Sequence, residues 1–449
     1  MDFRYLFNML MFAAVLLSSS ALQAQDFNLD TAVLYALEHN PELNAVQHQL
    51  QASSAQTSVS KAGQMPTLTI SHTARLSDNP LDAFADRLNT RQVAAADFAP
   101  GLLNDPDSSE LYFTQLALRW SLYNGGRVSA MIENAEQTEK HVRLQYQRER
   151  EKIAYAVTTA YLNVLAAKQS RQISEDAVEA ASQHARTTSR LASEGRIVES
   201  DKLAAAVNLA AIRSQREQAE TRLQSAIDQF KVVLGLPMDS EINLMPTKMK
   251  TVSAESAVKS YEDKAIDRRK DLAAARAMVQ AAKAGVDAER SVRRPKIDLV
   301  ASSNWYDDNP GFDSQSSSIM GVISFDLYDG TSSGKIDIKR SKQREMQWQL
   351  QALEQAVRKQ VRDAYNSLHE SGERLAIAEN NVELAKQAVK LVKQRYGQGR
   401  TILLDLLQSE RLYSEARMEK LTAQLNLDVA RVALPLATGN LSLPAGVSP

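Results

Sequence analysis

The chain has 449 residues and contains few residues that interrupt regular structure, with 16 glycines and 12 prolines. This composition excludes collagen-like and low-complexity classes and favours long uninterrupted elements. Its 53 basic and 54 acidic side chains give a net charge of -1, which provides no overall positive field for nucleic acid. The absence of cysteine excludes disulfides, thiolate metal sites and a cysteine nucleophile.

Residues 1–24 have the pattern of a secretory signal peptide, and we expect them to be removed. Arg4 precedes the apolar stretch Leu6–Leu17, and mostly small residues follow up to Ala24. The pattern predicts that the chain is exported. After residue 24 no window has the roughly 18 consecutive apolar residues of a membrane-spanning helix, so the sequence predicts no transmembrane helix.

The rest of the chain contains an internal repeat. The segment Leu122–Gly126 recurs in similar form as Leu327–Thr331. Pro66 recurs as Pro295, and these two prolines are farther apart in the sequence than the two copies of the segment. The difference in offset places extra residues in the first copy, between its proline and the repeated segment. Two copies of so long a unit are typical of a duplicated structure rather than of a solenoid. The pattern predicts a first repeat at 25–254, a second repeat at 255–440 and a C-terminal tail at 441–449.

Each repeat is predicted to contain the same elements in the same order. Short helices precede two strands with period-two alternation, and a long helix and a return helix follow. In the first repeat these are the helices at 29–63, the strands at 66–76 and 111–123, the long helix at 127–194 and the return helix at 198–235. In the second repeat they are the helices at 255–294, the strands at 295–305 and 318–328, the long helix at 335–396 and the return helix at 401–434. The polar segments that join the strands are predicted as loops, at 77–110 and 306–317.

The long helices have the spacing of a coiled coil. In the second repeat, apolar residues follow one another in steps of three and four at Leu375, Ala378, Val382, Ala385, Val389, Val392 and Tyr396. A turn at Gly399 leads into the return helix, and Gly195 occupies the equivalent place in the first repeat. We therefore expect two antiparallel helical hairpins per chain.

Two β-hairpins give four strands per chain, and four strands cannot close a barrel. An open sheet cannot lie in lipid, because its edges leave backbone groups unpaired. Alternating strands of about ten residues have the length that a tilted transmembrane strand needs. The sequence therefore predicts a mostly α-helical protein with a β-barrel part, which a homotrimer closes. A coiled-coil scaffold capped by small sheets, without a membrane, is the alternative.

Five segments, repeated in weaker form in the second half, carry a resemblance to a known family. They are Leu29–Val33, Asn40–Leu43, Leu122–Arg127, Tyr161–Leu165 and Leu234–Pro237. In this order they resemble the outer-membrane efflux protein family of Gram-negative bacteria, the TolC-like proteins. The resemblance implies a homotrimeric β-barrel in the outer membrane, continued by a long α-helical tunnel through the periplasm. It also implies an exit duct that works with an inner-membrane pump through a periplasmic adaptor protein.

The resemblance implies a gate at the periplasmic turns of the helical hairpins. Asp405 matches an acid that rings the opening, and Gln408 stands where the type member has a second acid. Asp201 and Tyr396 match residues that hold the helices together, and Arg400 is the nearest basic partner. From the residues alone, Asp201 and Asp405 are also acids in the first turn of a helix, where they complement the helix dipole.

Two further groups of residues follow from the same comparison. The turns of the two helical hairpins correspond to the turns with which the family docks the adaptor. The alternative is that they are ordinary interhelical turns. The residues of these turns are Gly195, Arg196, Ile197, Gly399 and Thr401. Glycines where a strand gives way to a helix supply backbone freedom for a bend between barrel and tunnel. These are Gly125, Gly126 and Gly330.

No catalytic pattern is present in the sequence. The six histidines are scattered without the spacing of metal ligands, and no glycine-rich phosphate loop follows a strand. We therefore expect no enzymatic activity, no cofactor, no metal site and no nucleic-acid partner. The leading interpretation is an exit duct that contacts outer-membrane lipid, an adaptor and a pump. Its alternatives are a structural coiled-coil protein of the envelope without transport activity, and the adaptor itself.

Overall fold

The computed structural model describes residues 25–247 and 257–444. The predicted signal peptide, the predicted boundary between the repeats and the last five residues of the predicted tail lie outside these ranges. The described chain is mostly helical and contains a small antiparallel sheet, as the sequence predicts. Within the described ranges, none of the helices has both the length and the apolar character required to cross a membrane.

Six strands and ten α-helices make up the described part of the chain. The strands are β1 (Gln25–Phe27), β2 (Thr67–Ser77), β3 (Ser109–Asn124), β4 (Ile242–Leu244), β5 (Lys296–Asp307) and β6 (Ser314–Ser324). The helices are α1 (Leu29–His39), α2 (Pro41–Ala62), α3 (Pro80–Asn89), α4 (Pro100–Asn104), α5 (Arg127–Ser193), α6 (Glu199–Leu234), α7 (Val258–Arg268), α8 (Lys270–Arg290), α9 (Ser332–Gly397) and α10 (Leu403–Thr438).

The chain divides into two compact units, and the first consists mainly of helices. Of the described residues it comprises 25–48, 144–247, 257–273 and 352–444. Its larger core surrounds the fully buried Tyr161, whose ring packs edge-on against Phe230 with the centroids 5.8 Å apart.

The Tyr161 hydroxyl ties this core to the parallel pair of short strands β1 and β4. The hydroxyl oxygen lies 3.1 Å from the carbonyl oxygen of Phe27 and within hydrogen-bond distance of that of Met245, so its one proton is shared between these two acceptors. Both carbonyl oxygens lie at or next to the paired strands. A buried phenol satisfies its polar group in this way while its ring fills the core.

The end of α10 differs from the prediction, which ended this helix at residue 434. The helix continues through Pro435 to Thr438 and ends at Gly439, whose φ of 67° is left-handed. Arg148 donates to the carbonyl oxygen of Leu436 at 2.9 Å, and Arg269 donates to the next carbonyl oxygen at 3.3 Å. These buried arginines satisfy carbonyl groups that a helix end leaves without intrahelical partners.

The second unit contains the four-stranded sheet. It comprises Gln49–Arg143 and Ala274–Gln351, and its strands lie in the order β2-β3-β5-β6, all antiparallel. β2 and β6 are therefore the two edges of the sheet. Each edge carries unpaired backbone groups along one side.

The sheet has one apolar and one polar face. The register brings large apolar side chains to the first, here called the apolar face: Leu68, Ile70, Leu76, Leu116, Leu118, Trp120, Leu299, Ile319 and Ile323. Many of them are exposed in the single chain, with Ile319 at 74% and Ile323 at 75%. The opposite, polar face carries Thr69, Ser71, Thr73, Gln115, Asn304, Ser316 and Ser318. Contiguous exposed apolar surface of this kind marks an interface or a membrane contact.

The last strand ends earlier than its sequence pattern predicts. β6 spans Ser314–Ser324, whereas the alternation predicts a strand at 318–328. In the first repeat, β3 continues past the end of its pairing with β2, because β5 pairs with its last residues. Residues 325–328 have no such neighbour within one chain, and Leu327 and Tyr328 are each 90% exposed.

The polar segment between β2 and β3, predicted as a loop, contains α3 and α4. The pair Asn79-Pro80, interpreted as a turn signal, instead begins α3: the Asn79 side chain accepts from Leu81 N–H at 3.0 Å. Asparagine at the N-cap followed by proline is an equally good helix start. Asp86 of α3 pairs with Arg75 and accepts from Ser109 at 2.8 Å, and both partners extend from the polar face.

Candidate gate and docking turns

The two helical hairpins turn with the same backbone geometry. Gly195 N–H bonds to the carbonyl of Ala192 at 3.0 Å and Arg196 N–H to that of Leu191 at 2.9 Å. The equivalent bonds of the second repeat start from Gly399 and Arg400 and measure 2.9 Å each. This is the Schellman motif, which needs a left-handed residue at the glycine position. The φ angles of the two glycines are 67° and 72°.

The surface of these turns is open and partly apolar. A Cβ atom added to Gly195 or Gly399 would meet no heavy atom within 4 Å. Val198 and Ile402, the N-cap residues of α6 and α10, are 63% and 62% exposed. Ile197 is half-buried between glycine and N-cap. A small residue beside exposed apolar groups permits close approach of a partner backbone.

Charged and hydroxyl groups complete the turn surface. Arg196 is exposed and its guanidinium lies 3.5 Å from the Glu194 carboxylate. Thr401 donates a hydrogen bond from its hydroxyl to the Asp405 carboxylate in the first turn of α10. Asp405 is exposed. An acid at this position also complements the positive end of the helix dipole.

Tyr396 lies within electrostatic range of Asp201. Burial raises the pKa of Tyr396, and the negative charge of Asp201 raises the pKa of this phenol further. A phenol with a raised pKa keeps its proton at neutral pH and remains a hydrogen-bond donor. The structure thus brings together a tyrosine near the end of α9 and an acid in the first turn of α6.

Arg400 and Gln408 have different surroundings from that pair. Within residues 25–247 and 257–444, Arg400 is exposed and forms no ion pair. Gln408 is exposed and accepts hydrogen bonds from Arg411, at 3.1 Å and 3.3 Å. Arg411 in turn pairs with Glu415. Position 408, where the type member of the family has a second acid, therefore carries the neutral amide of Gln408 with the guanidinium of Arg411 beside it.

One ion pair and one histidine–carboxylate contact that the sequence did not suggest join α5 to α10. The Arg417 guanidinium lies 2.8 Å from the Asp176 carboxylate, and the His184 imidazole lies 3.4 Å from the Glu410 carboxylate. Opposite charges on both helices were visible in the sequence. Their pairing depends on how α5 and α10 are aligned along their axes, and periodicity does not give this alignment.

The bend glycines behave differently in the two repeats. Gly125 and Gly126 have φ angles of 68° and 87°, and a Cβ at Gly125 would meet the Ser291 carbonyl oxygen at 2.5 Å. Gly330 has no left-handed φ angle. Instead, the Asp329 carboxylate accepts from the Thr331 N–H and hydroxyl, both at 2.8 Å, before α9 begins. At the bend between strand and helix, a glycine is therefore conformationally required only in the first repeat.

The part of the chain that the structure describes holds no group of three or more His, Cys, Asp or Glu side chains arranged to bind a metal. The gate and turn residues carry acidic, basic, amide, hydroxyl, aromatic and aliphatic groups at or near helix ends. Such groups can pair, dock and repel. They therefore suit a constriction or a binding surface.

Comparison with known proteins places the chain in a family. The model of the family "Outer membrane efflux protein" matches residues 34–236 and 262–440. The chain is 21% identical over 424 residues to the proteases secretion protein PrtF of Dickeya chrysanthemi, covering 90% of this chain and 86% of PrtF.

Solved structures are similar over nearly the whole chain. A membrane protein from Pseudomonas aeruginosa has a TM-score of 0.80 at 20% identity, with 92% of each chain covered. The Campylobacter jejuni CmeC outer membrane channel has a TM-score of 0.80 at 14% identity, covering 92% of this chain and 85% of CmeC. At such identities the likeness concerns the fold.

The family match covers most of the chain, and the chain belongs to the outer membrane efflux protein family. Its location is the outer membrane of a Gram-negative bacterium, and its role is that of an exit duct for efflux or secretion. This confirms the resemblance that the ordered segments carry in the sequence. Of these two structural relatives, CmeC is an outer membrane channel.

The turn geometry predicts unequal effects of two neighbouring substitutions. Gly399→Ala should destabilise the turn by about 1–2 kcal/mol, because a left-handed φ brings Cβ close to the backbone. Gly397→Ala is the matched control, since its added Cβ also meets open space but its backbone is helical. Hydrogen exchange of the peptide spanning 391–405 should be faster only in the first variant. Equal exchange in both would contradict the assigned turn.

Proposed function

We propose that the chain acts as a homotrimer, whose strands close one β-barrel in the outer membrane. The observation that carries this proposal is the four-stranded sheet, which has two open edges and an exposed apolar face. The apolar face meets outer-membrane lipid, and the polar face lines the lumen. The partners are two further copies of the chain, a periplasmic adaptor protein and an inner-membrane pump.

Burial of the apolar face in lipid accounts for its composition. Leucine and isoleucine side chains that are mostly exposed in the single chain would leave water in the membrane, at a gain of roughly 25 cal/mol per Å². The same transfer would remove water from the edges β2 and β6. Their backbone groups then need partners, which neighbouring copies supply.

The helical turns are proposed as the surface that meets the adaptor. Support comes from the repeated Schellman geometry at Gly195 and Gly399 and from the exposed Val198 and Ile402 beside them. Because the two turns are equivalent by the internal repeat, each chain offers two such sites. A trimer would offer six.

The residues at these turns are proposed to form a gate. Support comes from the closeness of Tyr396 to Asp201, which joins two helices, and from the exposed carboxylate of Asp405. A trimer carries three copies of each acid, and acids arranged around an axis attract passing cations. Exposed polar pairs stabilise by only about 0–1 kcal/mol each, but threefold repetition biases an aperture whose states differ by a few kcal/mol.

The protein's role is conduction rather than catalysis. Support comes from its family and from channel proteins among its structural relatives. PrtF is named as a proteases secretion protein, so protein cargo is a candidate substrate class beside small molecules. Cargo choice would belong to the pump that delivers it.

Reconstitution tests the proposed duct directly. Purified protein inserted in planar bilayers should give discrete single-channel conductance steps. The same preparation, heated until the trimer dissociates, serves as the control and should give none. Membrane-inserted trimers without conductance would contradict the duct and favour a structural coiled-coil protein of the envelope.

The gate predicts two separable changes in such recordings. Tyr396→Phe combined with Arg400→Ser should raise the resting conductance, because it removes the phenol hydroxyl beside Asp201 and a cation at the turn. Asp405→Ala should lower cation selectivity, since it removes charge near the opening. Asp30→Ala, which removes another exposed first-turn acid, is the matched control. Wild-type conductance and selectivity in both gate variants would show that these residues have no gating role.

A further inference from the structure

The first β-hairpin carries an insert that the second hairpin lacks. The segment between β2 and β3 contains α3 and α4, whereas only residues 308–313 join β5 to β6. Connecting two strands therefore does not require the insert. Its helix α3 nevertheless has a fixed position on the sheet, which points to a role of its own.

The start of α3 is fixed to the polar face at the ends of β2 and β3. Arg75 extends from this face, lies 3.1 Å from the Asp82 carboxylate and also pairs with Asp86. The Asp86 side chain is only 5% exposed. The helix contacts β3, and Leu111 of that strand, which lies opposite Arg75, is buried. The helix therefore covers the polar face at this end of the sheet.

The end of α3 is fixed to the opposite edge of the same sheet. Ser314, the first residue of β6, donates from its hydroxyl to the carbonyl oxygen of Thr90 at 2.9 Å. The Arg91 guanidinium donates to the carbonyl oxygen of Gln315 at 2.8 Å. Four strands at their usual spacing are about 14 Å wide, and the ten residues of α3 are about 15 Å long. The helix thus crosses the sheet from β2 to β6.

We propose that the α3 helices of three copies form a collar that narrows the outer mouth of the duct and limits the size of the solutes that leave it. This rests on the proposed trimeric barrel, in which the polar face lines the lumen. The long helices α5 and α9 begin beyond the other end of the sheet, after β3 and β6. Long loops of transmembrane barrels lie on the extracellular side. A helix that covers the polar face at this end therefore stands at the exit.

Neighbouring α3 helices would meet head to tail in this collar. In a closed ring the β2 edge of one copy adjoins the β6 edge of the next, so the start of one α3 adjoins the end of another. Exposed leucines lie at both places, with Leu81 77% exposed near the start and Leu88 52% exposed near the end. Positions 81 and 88 are two helical turns apart and lie on one side of the helix. Contact between copies would remove both leucines from water.

Disulfide formation tests the head-to-tail contact, because the chain contains no cysteine of its own. Leu81→Cys combined with Leu88→Cys should give covalent dimers and trimers on denaturing gels after oxidation with copper-phenanthroline. The two positions cannot bridge within one chain, since they are about 10 Å apart along the helix and a disulfide needs Cα atoms less than about 7 Å apart. Each single variant is a matched control and should remain uncross-linked.

Two results of the cross-linking would overturn the collar and leave the duct intact. One is a conducting trimer in which the double variant does not cross-link. The other is equal cross-linking in a single variant, because like positions would then meet instead of the two ends of α3.

Solute exclusion tests the narrowing itself. Asp86→Ala should widen the exit, because it removes the buried carboxylate that holds α3 to Arg75 and Ser109. Neutral polyethylene glycols added at the outer mouth lower the conductance of a channel in a planar bilayer when they enter it. Polymers that the wild type excludes should enter this variant. Asp78→Ala is the matched control, since Asp78 is an exposed acid without a partner in the described part of the chain.

Arg75→Ala releases the same contact and replaces the first variant if Asp86→Ala fails to fold. Unchanged polymer exclusion in a released variant that conducts overturns the collar and leaves the duct intact. Absence of a trimer in the wild type instead refutes the proposed assembly.

Discussion

An edge strand carries a row of backbone N–H and C=O groups without partners, and in hydrocarbon each such group costs several kcal/mol. In this protein the constraint applies twice, at β2 and at β6, and one face between them is covered with exposed leucine and isoleucine. In water the edges would be tolerable and the apolar face would not. In lipid the apolar face is favourable and the edges are not. The proposed pairing with further copies would satisfy both demands.

Duplication gives one chain two sets of equivalent contacts, which the proposed trimer would repeat around a ring. The two hairpins have the same strand register, and the two helical turns have the same hydrogen bonds. The two repeats differ in their apolar cores and in the bends between strand and helix. The first encloses Tyr161 in a large core, whereas the second packs Tyr365 against Tyr261 in a smaller cluster. Strand-to-helix bends rely on Gly125 and Gly126 in one repeat and on the Asp329 carboxylate in the other.

Much of the fold follows from periodicity, since long helices and alternating strands have signals that local physics fixes. The turn glycines were equally predictable, because a left-handed residue at a helix end is nearly always glycine. The helices α3 and α4 were missed, since Asn79-Pro80 begins a helix as readily as it begins a turn. The early end of β6 was not predicted, because a strand needs a neighbour to pair with, and no strand in the described part of the chain pairs with residues 325–328.

The candidate site was less accessible to sequence reasoning. Tyr396 and Asp201 are far apart in the chain, and only a resemblance to a family pointed to both. The ion pair of Asp176 with Arg417 and the contact of His184 with Glu410 were not predicted, because they depend on the alignment of α5 with α10. Arg148 and Arg269, which are buried and donate hydrogen bonds to carbonyl oxygens at the end of α10, could not be distinguished from surface charges in the sequence.

The central claim is that the sheet of one chain is incomplete in a membrane. Native mass spectrometry of the protein released from lipid nanodiscs measures this directly, because it counts chains without labels or mutations. The account predicts a mass of three chains at every protein concentration at which the membrane-inserted form is detected. A stable single chain released from lipid would contradict it.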